Sequence, residues 1–251
     1  MTTGVVDLLE ELAFARHVVD VAAAVALPFF RNDVHHELKG DGSPVTEADV
    51  AVEQAVLVML ASDRPGDGVL SEEAGAVRHS GSRRRWLVDP IDGTSWFLVG
   101  DTAWGTHIAL EVDGEIVVGV ITRPALGRAW WAAKGHGAWN SSGRRLQVST
   151  TATLVGARIG GYMRPDSSWQ ARISMRSRWV ATPSPILQLI EGRLDAVLSE
   201  GGFGWDHAPG VLLVSEAGGR FTDPDGGGRI DLRGGLYTNG HLHAELQKRP
   251  R

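Results

Sequence analysis

Trp86-Leu87-Val88-Asp89-Pro90-Ile91-Asp92-Gly93-Thr94 is the stretch on which the reading of this chain turns. Trp86 to Val88 is an apolar run and reads as a short buried strand. It ends in two carboxylates, with a proline and a glycine among them. Pro90 fixes its own φ and pushes Asp89 towards an extended conformation. Gly93 permits a tight turn and a close approach of the backbone to a ligand. Thr94 is placed to cap a helical turn that follows. Two acidic side chains and several free backbone N–H groups then face one point. Carboxylates are hard oxygen ligands suited to Mg²⁺, and N–H groups at a helix start suit phosphate. Two acids and a glycine also describe an ordinary strand-to-helix turn, so the rest of the chain decides between these readings.

The 251 residues fit one large domain or two closely packed subdomains. A hydrophobic share of 43% and a charged share of 22% are those of a globular protein. The net charge of −5 argues against a nucleic-acid polymer as partner. The absence of cysteine excludes disulfides, thiolate metal sites and cysteine nucleophiles. The longest apolar stretch, Val18 to Phe30, is interrupted by Asp20 and is too short to span a bilayer. It follows acidic residues, Asp7, Glu10 and Glu11, which is not the flank of a signal peptide. The expectation is a cytoplasmic protein with no membrane partner.

Residues 5–30 read as one helix, because Leu8, Leu12, Ala15, Val19, Ala22 and Ala26 recur at helical spacing. Residues 33–45 are turn-rich and predict a hairpin or loop. A second helix starts after Thr46 and stops at Arg64-Pro65-Gly66-Asp67-Gly68. A short strand, Gly68 to Leu70, runs into Ser71-Glu72-Glu73. Apolar runs at 104–112, 115–123 and 128–133 predict strands, with Asp113-Gly114 as a hairpin turn, and a short strand pair follows at 137–148. Their connections are too short for helical crossovers, so this sheet should be antiparallel. Strands at 155–160, 178–181, 194–199, 220–222 and 235–238 and helices at 184–191, 205–217 and from 240 complete the pattern. A helix pair, a meander and then alternating strands and helices predict a layered, mixed α/β (α+β) architecture. A soft boundary near residue 150 divides it into 1–150 and 151–251.

Three further groups carry charge. Glu72 and Glu73 follow a short apolar strand. Trp205-Asp206 opens a helix, where Asp is a favoured N-cap and Pro209 suits a first turn. Thr46-x-x-Asp49 has the form of a capping box, with Lys39 on the turn ahead of it. Each has a sufficient structural explanation taken alone. The histidines offer little by position: His35 and His36 lie in a polar loop, and nothing sets His107 or His207 beside a nucleophile.

Taken in order, Lys39…Thr46…Asp49, Glu72-Glu73, Asp89-Pro90-Ile91-Asp92-Gly93-Thr94 and Trp205-Asp206 resemble the inositol monophosphatase family of metal-dependent phosphatases over about residues 5–245. The resemblance implies the layered αβαβα sandwich that this family shares with fructose-1,6-bisphosphatase. Residues 64–70 and 123–133 look most like bacterial histidinol-phosphate phosphatases. The family's pattern then implies that Glu72, Asp89 and the Ile91 carbonyl hold one Mg²⁺ and that Asp89, Asp92 and Asp206 hold a second. Glu73 would contribute through a water or a weak third ion. Glu72 and Thr94 would orient the attacking water, with Asp49 accepting the Thr94 proton. Gly93 and Thr94 would bind phosphate oxygens, with Asp206 also facing the substrate. A small phosphorylated metabolite as partner and a homodimer are implied as well.

The chain departs from the family in its substrate-selecting half. Trp96 precedes Phe97 where the family has Asn. Ala181-Thr182-Pro183-Ser184-Pro185 replaces a Gly-Ser-Ala-Ala-like stretch, and segment 160–180 is short. Ser199 stands where the family commonly has a substrate-contacting Glu, with Glu200 one residue later. Glu200 is therefore the expected partner of a cationic substrate. The expected activity is hydrolysis of a small phosphate monoester, first of all histidinol phosphate. Inositol, sugar or nucleotide phosphates, possible in specialised metabolite biosynthesis, stand as alternatives. A catalytically inactive binding homologue is the alternative of a different class, though it predicts losses among the ligand carboxylates.

Overall fold

The computed structural model describes residues 7–78, 81–164, 167 and 176–248. Positions 5 and 6 of the expected first helix, and residues 165, 166 and 168–175 of segment 160–180, lie outside them. Helix α1 runs Leu8–Ala26, shorter than expected at its C-terminal end because the chain turns at Leu27 to Arg31, around Pro28. The Asp7 carboxylate caps it by accepting from Leu9 N and Glu10 N at 3.0 and 3.2 Å. Strands β1 (His36–Leu38) and β2 (Pro44–Thr46) make the hairpin, and α2 (Glu47–Asp63) follows directly. Thr46 and Asp49 form the capping box that their spacing predicts.

A seven-stranded sheet comes next. Its strands are β3 (Gly68–Ser71), β4 (Gly75–Arg78), β5 (Arg84–Asp92), β6 (Gly105–Val112), β7 (Glu115–Arg123), β8 (Arg128–Ala133) and β9 (Ala138–Asn140), in the order β4-β3-β5-β6-β7-β8-β9. The expected antiparallel meander holds from β6 to β9 and also takes in β5, whereas β3 runs parallel to β5. Strand β4 was not foreseen; it pairs with β3 across the Glu72–Ala74 turn. Strand β5 is also far longer than Trp86 to Val88. It continues through Pro90 because the register to β6 shifts between Asp89 and Asp92, and an irregularity is where a strand tolerates a missing N–H. Expected residues 141–148 contribute a single bridge, Trp139 to Arg145, and no second strand.

The second sheet contains β10 (Arg158–Tyr162), β11 (Arg178–Trp179), β12 (Ala196–Ser199), β13 (Arg220–Thr222) and β14 (Gly235–Thr238), in the order β11-β10-β12-β14-β13. Helices α3 (Thr94–Leu98), α4 (Pro185–Ile190), α5 (Gly204–Glu216) and α6 (His243–Gln247) complete the chain. Helices α1 and α2 cover one face of the large sheet, where Val19, Ala22, Val52 and Val56 meet Trp86, Ile108 and Val120. Leu212, Leu213 and Val214 of α5 pack with Ile121 and Trp130 on one side and with Val197 and Tyr237 on the other. Leu242 and Leu246 close the outer side of the small sheet. These are the αβαβα layers. The middle core draws on residues from both sides of position 150.

One close approach fixes the middle layer. A Cβ on Gly119 of β7 would stand 2.9 Å from the Cα of Pro209, so only glycine lets α5 lie this near the sheet. Pro209 sits in the body of α5, one turn deeper than the first-turn position expected.

Asp195 ties the small sheet together. It is 1% exposed and accepts from Arg158 N at 2.6 Å, Arg158 Nη2 at 2.9 Å and Ser149 Oγ at 2.5 Å. Burial works against the carboxylate, but Arg158 and Ser149 outweigh it and hold the pKa down at about 2. The folded pKa is below the unfolded one, so the stabilisation is present above pH 4 and is lost as pH falls towards 2. Asp195→Asn should cost about 2 kcal/mol at pH 7, and the difference from wild type should shrink below pH 4 in urea unfolding curves. A constant difference from pH 7 to pH 2 would show that the charge is not responsible.

Candidate active site

The central motif does bring its two acids to one cleft, and strand pairing explains how the others join them. β3 pairs with β5 so that Ser71 lies opposite Val88, and Glu72 N donates to Val88 O at 3.1 Å. Glu72 is thereby set next to Asp89. The turn that carries Glu72 is clamped from α2. Buried Glu53 accepts from Ser71 Oγ, and from Glu73 N and Ala74 N at 3.1 Å each. Glu53 was not legible in the sequence, since a single acid on a helix carries no signal of its own.

Gly93 turns the chain with φ of 83°, and a Cβ there would crowd Ala103 O and Trp96 Cδ1 at 3.1 and 3.2 Å. Gly93 is itself the N-cap residue of α3, so Thr94 is the first helical residue rather than the expected cap. The Thr94 hydroxyl is turned to other partners, Asp49 Oδ1 at 3.0 Å and Ile91 O at 3.1 Å. Asp49 also accepts from Thr46 N at 2.8 Å and Thr46 Oγ1 at 2.5 Å. Its burial outweighs these bonds and raises its pKa.

Asp206 enters from the opposite layer. It occupies the third position of α5, not the N-cap, and its carboxylate turns back onto Phe203 N. The cleft has a volume of about 390 Å³ and is lined by Glu72, Asp89, Ile91, Asp92, Gly93, Thr94 and Asp206. Asp89 is 1% exposed, and its Oδ1 has no hydrogen-bond partner among the described residues. Burial, and then the charges of Glu72, Asp92 and Asp206, push its pKa well above the carboxylate range. Burial likewise pushes Asp206 up to about 6. A buried carboxylate oxygen with no donor, facing three more acids, fits a multivalent cation and little else.

Basic groups reach part of this cluster. Lys39 Nζ donates to Glu72 Oε1 and Glu73 Oε1 at 2.7 and 2.6 Å, and these contacts raise its pKa although burial opposes them. Asp92 Oδ2 lies 3.1 Å from Arg123 Nη2 and 3.3 Å from His107 Nε2. Burial alone would raise Asp92, but His107 and Arg123 outweigh it and hold its pKa well below the usual range. The structure thus corrects the discounting of His107. The signal lay in pairing: His107 is the cross-strand partner of Asp89. Arg123 was noticed only as part of a scaffold segment.

The rest of the wall matches several of the departures. Trp96, Pro183, Ser184 and Pro185 line the cleft, together with Tyr162, Ser199 and His207. Arg123 Nη2 donates to Ser184 Oγ at 3.3 Å, and the Tyr162 hydroxyl to Pro183 O at 2.7 Å. Glu200 does not line the cleft. Its neighbours Ser199 and Gly201 do, and the alternation of the chain sends Glu200 the other way. There it accepts from Arg164 N and Ser167 Oγ at 2.8 Å each.

A layered αβαβα fold with four carboxylates at one cleft defines a class of metal-dependent phosphatases. The chain belongs to the inositol monophosphatase family, whose model matches residues 7–250. A histidinol-phosphatase of Mycobacterium tuberculosis is 38% identical, with 97% of each chain covered. A protein of Streptomyces griseus named glucose-1-phosphate thymidylyltransferase is 46% identical over 91% of each chain. Among solved structures, an IMPase of Thermotoga maritima superposes with a TM-score of 0.84 at 25% identity, covering 95% of each chain. The chain is a phosphatase of this family. Among the described residues, no helix is long and apolar enough to cross a membrane.

The raised pKa of Asp89 has a consequence for stability. A carboxyl whose folded pKa lies above the unfolded value stabilises the fold only while protonated, and it destabilises as pH rises beyond 4. In metal-stripped protein, Asp89→Asn should raise the thermal midpoint at pH 7 by about 2 °C or more, roughly 1 kcal/mol. The gain should vanish below pH 4. A lower midpoint than wild type at pH 7 without metal would contradict this account of Asp89.

Proposed function

We propose that the chain is a Mg²⁺-dependent phosphomonoesterase in which water attacks the phosphorus directly. The observation that carries this reading is the unpartnered, buried Asp89 Oδ1 among Glu72, Asp92 and Asp206. Glu72, Asp89 and the Ile91 carbonyl would hold one ion, and Asp89, Asp92 and Asp206 a second. Mg²⁺ at such a site neutralises phosphate charge and lowers the pKa of water. The chain's own groups do the rest. Thr94 donates its proton to Asp49, so its oxygen is left to accept one from the attacking water. Glu72, steadied by Lys39, is the second group that orients this water. Gly93 and Thr94 line the cleft where phosphate oxygens would sit.

The substrate we infer is a small hydroxylated phosphate ester of the sugar or inositol type. Among the described residues, the carboxylates that line the cleft are the four proposed ligands, and no other described there stands ready for an ammonium group. The remaining wall offers Arg123, hydroxyls of Ser184 and Tyr162, and the half-exposed ring of Trp96. Histidinol phosphate is the second reading, favoured by 38% identity to a histidinol-phosphatase over 97% of the chain.

Phosphate release should require Mg²⁺ and cease in chelator; full activity in chelator would overturn the reading. Thr94→Ala should reduce turnover about 10²-fold or more while changing Mg²⁺ affinity by less than about threefold in calorimetry. Comparing kcat/KM for inositol 1-phosphate, glucose 1-phosphate, a nucleoside monophosphate and histidinol phosphate tests the substrate. Preference for histidinol phosphate by about tenfold, roughly 1.4 kcal/mol in transition-state binding, would replace the hydroxylated-ester assignment.

A further inference from the structure

His107 has an environment that neither folding nor the proposed chemistry accounts for. It lies in β6, 6% exposed, and neither Nδ1 nor Nε2 has a hydrogen-bond partner among the described residues. Leaving a buried polar group unmet is costly. Nε2 stands 3.3 Å from Asp92 Oδ2, yet the two are not aligned as a hydrogen bond. The other buried group in the cleft with an unmet atom is Asp89, the cross-strand partner of His107. Donor atoms of Asp89, Asp92 and His107 all lie within 4.8 Å of one another. Two ligands that bind one ion at about 2.0–2.2 Å stand about 3 Å apart, which is the spacing of His107 and Asp92.

We propose that His107 is a nitrogen ligand of the metal centre, sharing one ion with Asp89 and Asp92, and that this corner selects a transition ion of the Co²⁺ or Zn²⁺ type over Mg²⁺. The proposal rests on the metal-dependent reading of the cleft and revises one part of it: the ion shared by Asp89 and Asp92 is a transition ion in place of Mg²⁺. Mg²⁺ is hard, prefers oxygen and gives up water reluctantly, whereas imidazole nitrogen suits the softer divalent ions. Arg123 strengthens the case. Its guanidinium already meets Asp92 Oδ2, so the carboxylate is partly neutralised and holds a purely electrostatic ion less firmly. A bond to nitrogen restores affinity for the ions that form it. Pairing of His107 with Asp92 alone would explain the distance but not the misalignment, and it would leave Asp89 Oδ1 unmet. Nδ1 has no acceptor to fix the ring, so packing within β6 holds it, where a ligating histidine more often has a second hydrogen bond.

The test is metal binding, read apart from catalysis. Metal-stripped wild type, His107→Leu and His107→Gln are titrated with Co²⁺ and with Mg²⁺ by calorimetry, with circular dichroism to confirm folding. Mn²⁺-loaded wild type is examined by pulsed electron paramagnetic resonance for coupling to ¹⁴N, which requires no variant. Wild type should bind Co²⁺ at least about tenfold more tightly than Mg²⁺. The variants should lose about tenfold or more of Co²⁺ affinity, lose less than about threefold of Mg²⁺ affinity, and show no ¹⁴N coupling. An unchanged Co²⁺-to-Mg²⁺ ratio in the folded variants, or no ¹⁴N coupling in wild type, overturns the assignment of His107 and leaves the oxygen ligands standing. Failure of wild type to bind either ion would remove the metal-dependent reading itself.

Discussion

Repulsion among four carboxylates at one cleft is the constraint the rest of the structure serves. Glu72, Asp89, Asp92 and Asp206 come from two strand ends and a helix on the far side of the large sheet. Left to itself such a cluster would spread apart or protonate. The scaffold resists by pinning each member from behind. The parallel β3–β5 pairing and Glu53 hold Glu72. The irregularity in β5 lets Asp89 and Asp92 share the cleft despite the proline between them. The contact of Gly119 with Pro209 presses α5 onto the sheet and brings Asp206 within range. Apolar burial across three cores supplies the free energy that holds these groups in place.

The chain's own cations are shared out unevenly around this cluster. Lys39 serves Glu72 and Glu73, and Arg123 stands at Asp92. No such contact reaches Asp89 among the described residues, and it is Asp89 that burial and three neighbouring acids raise most clearly. The distribution marks where positive charge must come from outside the chain. It also separates the corners of the site: one is all oxygen with a lysine beside it, and the other carries nitrogen donors.

Much of the fold was legible because its signals are local. The amphipathic spacing of α1, the Thr46–Asp49 box, the Asp113-Gly114 turn and the apolar runs of β6 to β8 each specify their element within a few residues. The carboxylates were legible through the order of their motifs. Helix ends were less so: Asp206 and Thr94 are both shifted from the cap positions that their side chains suggest, because cap geometry depends on where the preceding loop enters. What sequence could not supply is lateral neighbourhood. Glu53, His107 and Arg123 act on residues 18 to 31 positions away or on the adjacent strand, and only register brings them there. Glu200 illustrates the same limit in reverse. It is one residue from a cleft position, and in an extended chain one residue means the opposite face.

The metal corner and the substrate wall are usually treated as separable, since ligands bind ions and loops select substrates. Here a single side chain couples them. Arg123 touches Asp92 through Nη2 and Ser184 through both Nε and Nη2, while its Nη1 is held by Thr122 O at 2.9 Å. Ser184 lies between two prolines that restrict the backbone, and the Tyr162 hydroxyl anchors the neighbouring Pro183. A guanidinium is a planar fork whose donors cannot reorient independently. Any movement of Asp92 towards an ion therefore loads the bond to Ser184, and any displacement of the Pro183–Pro185 wall by a leaving group bears on Asp92. On the proposed reading, metal occupancy and substrate fit would act on the same arginine, so a change at position 123 would alter both together.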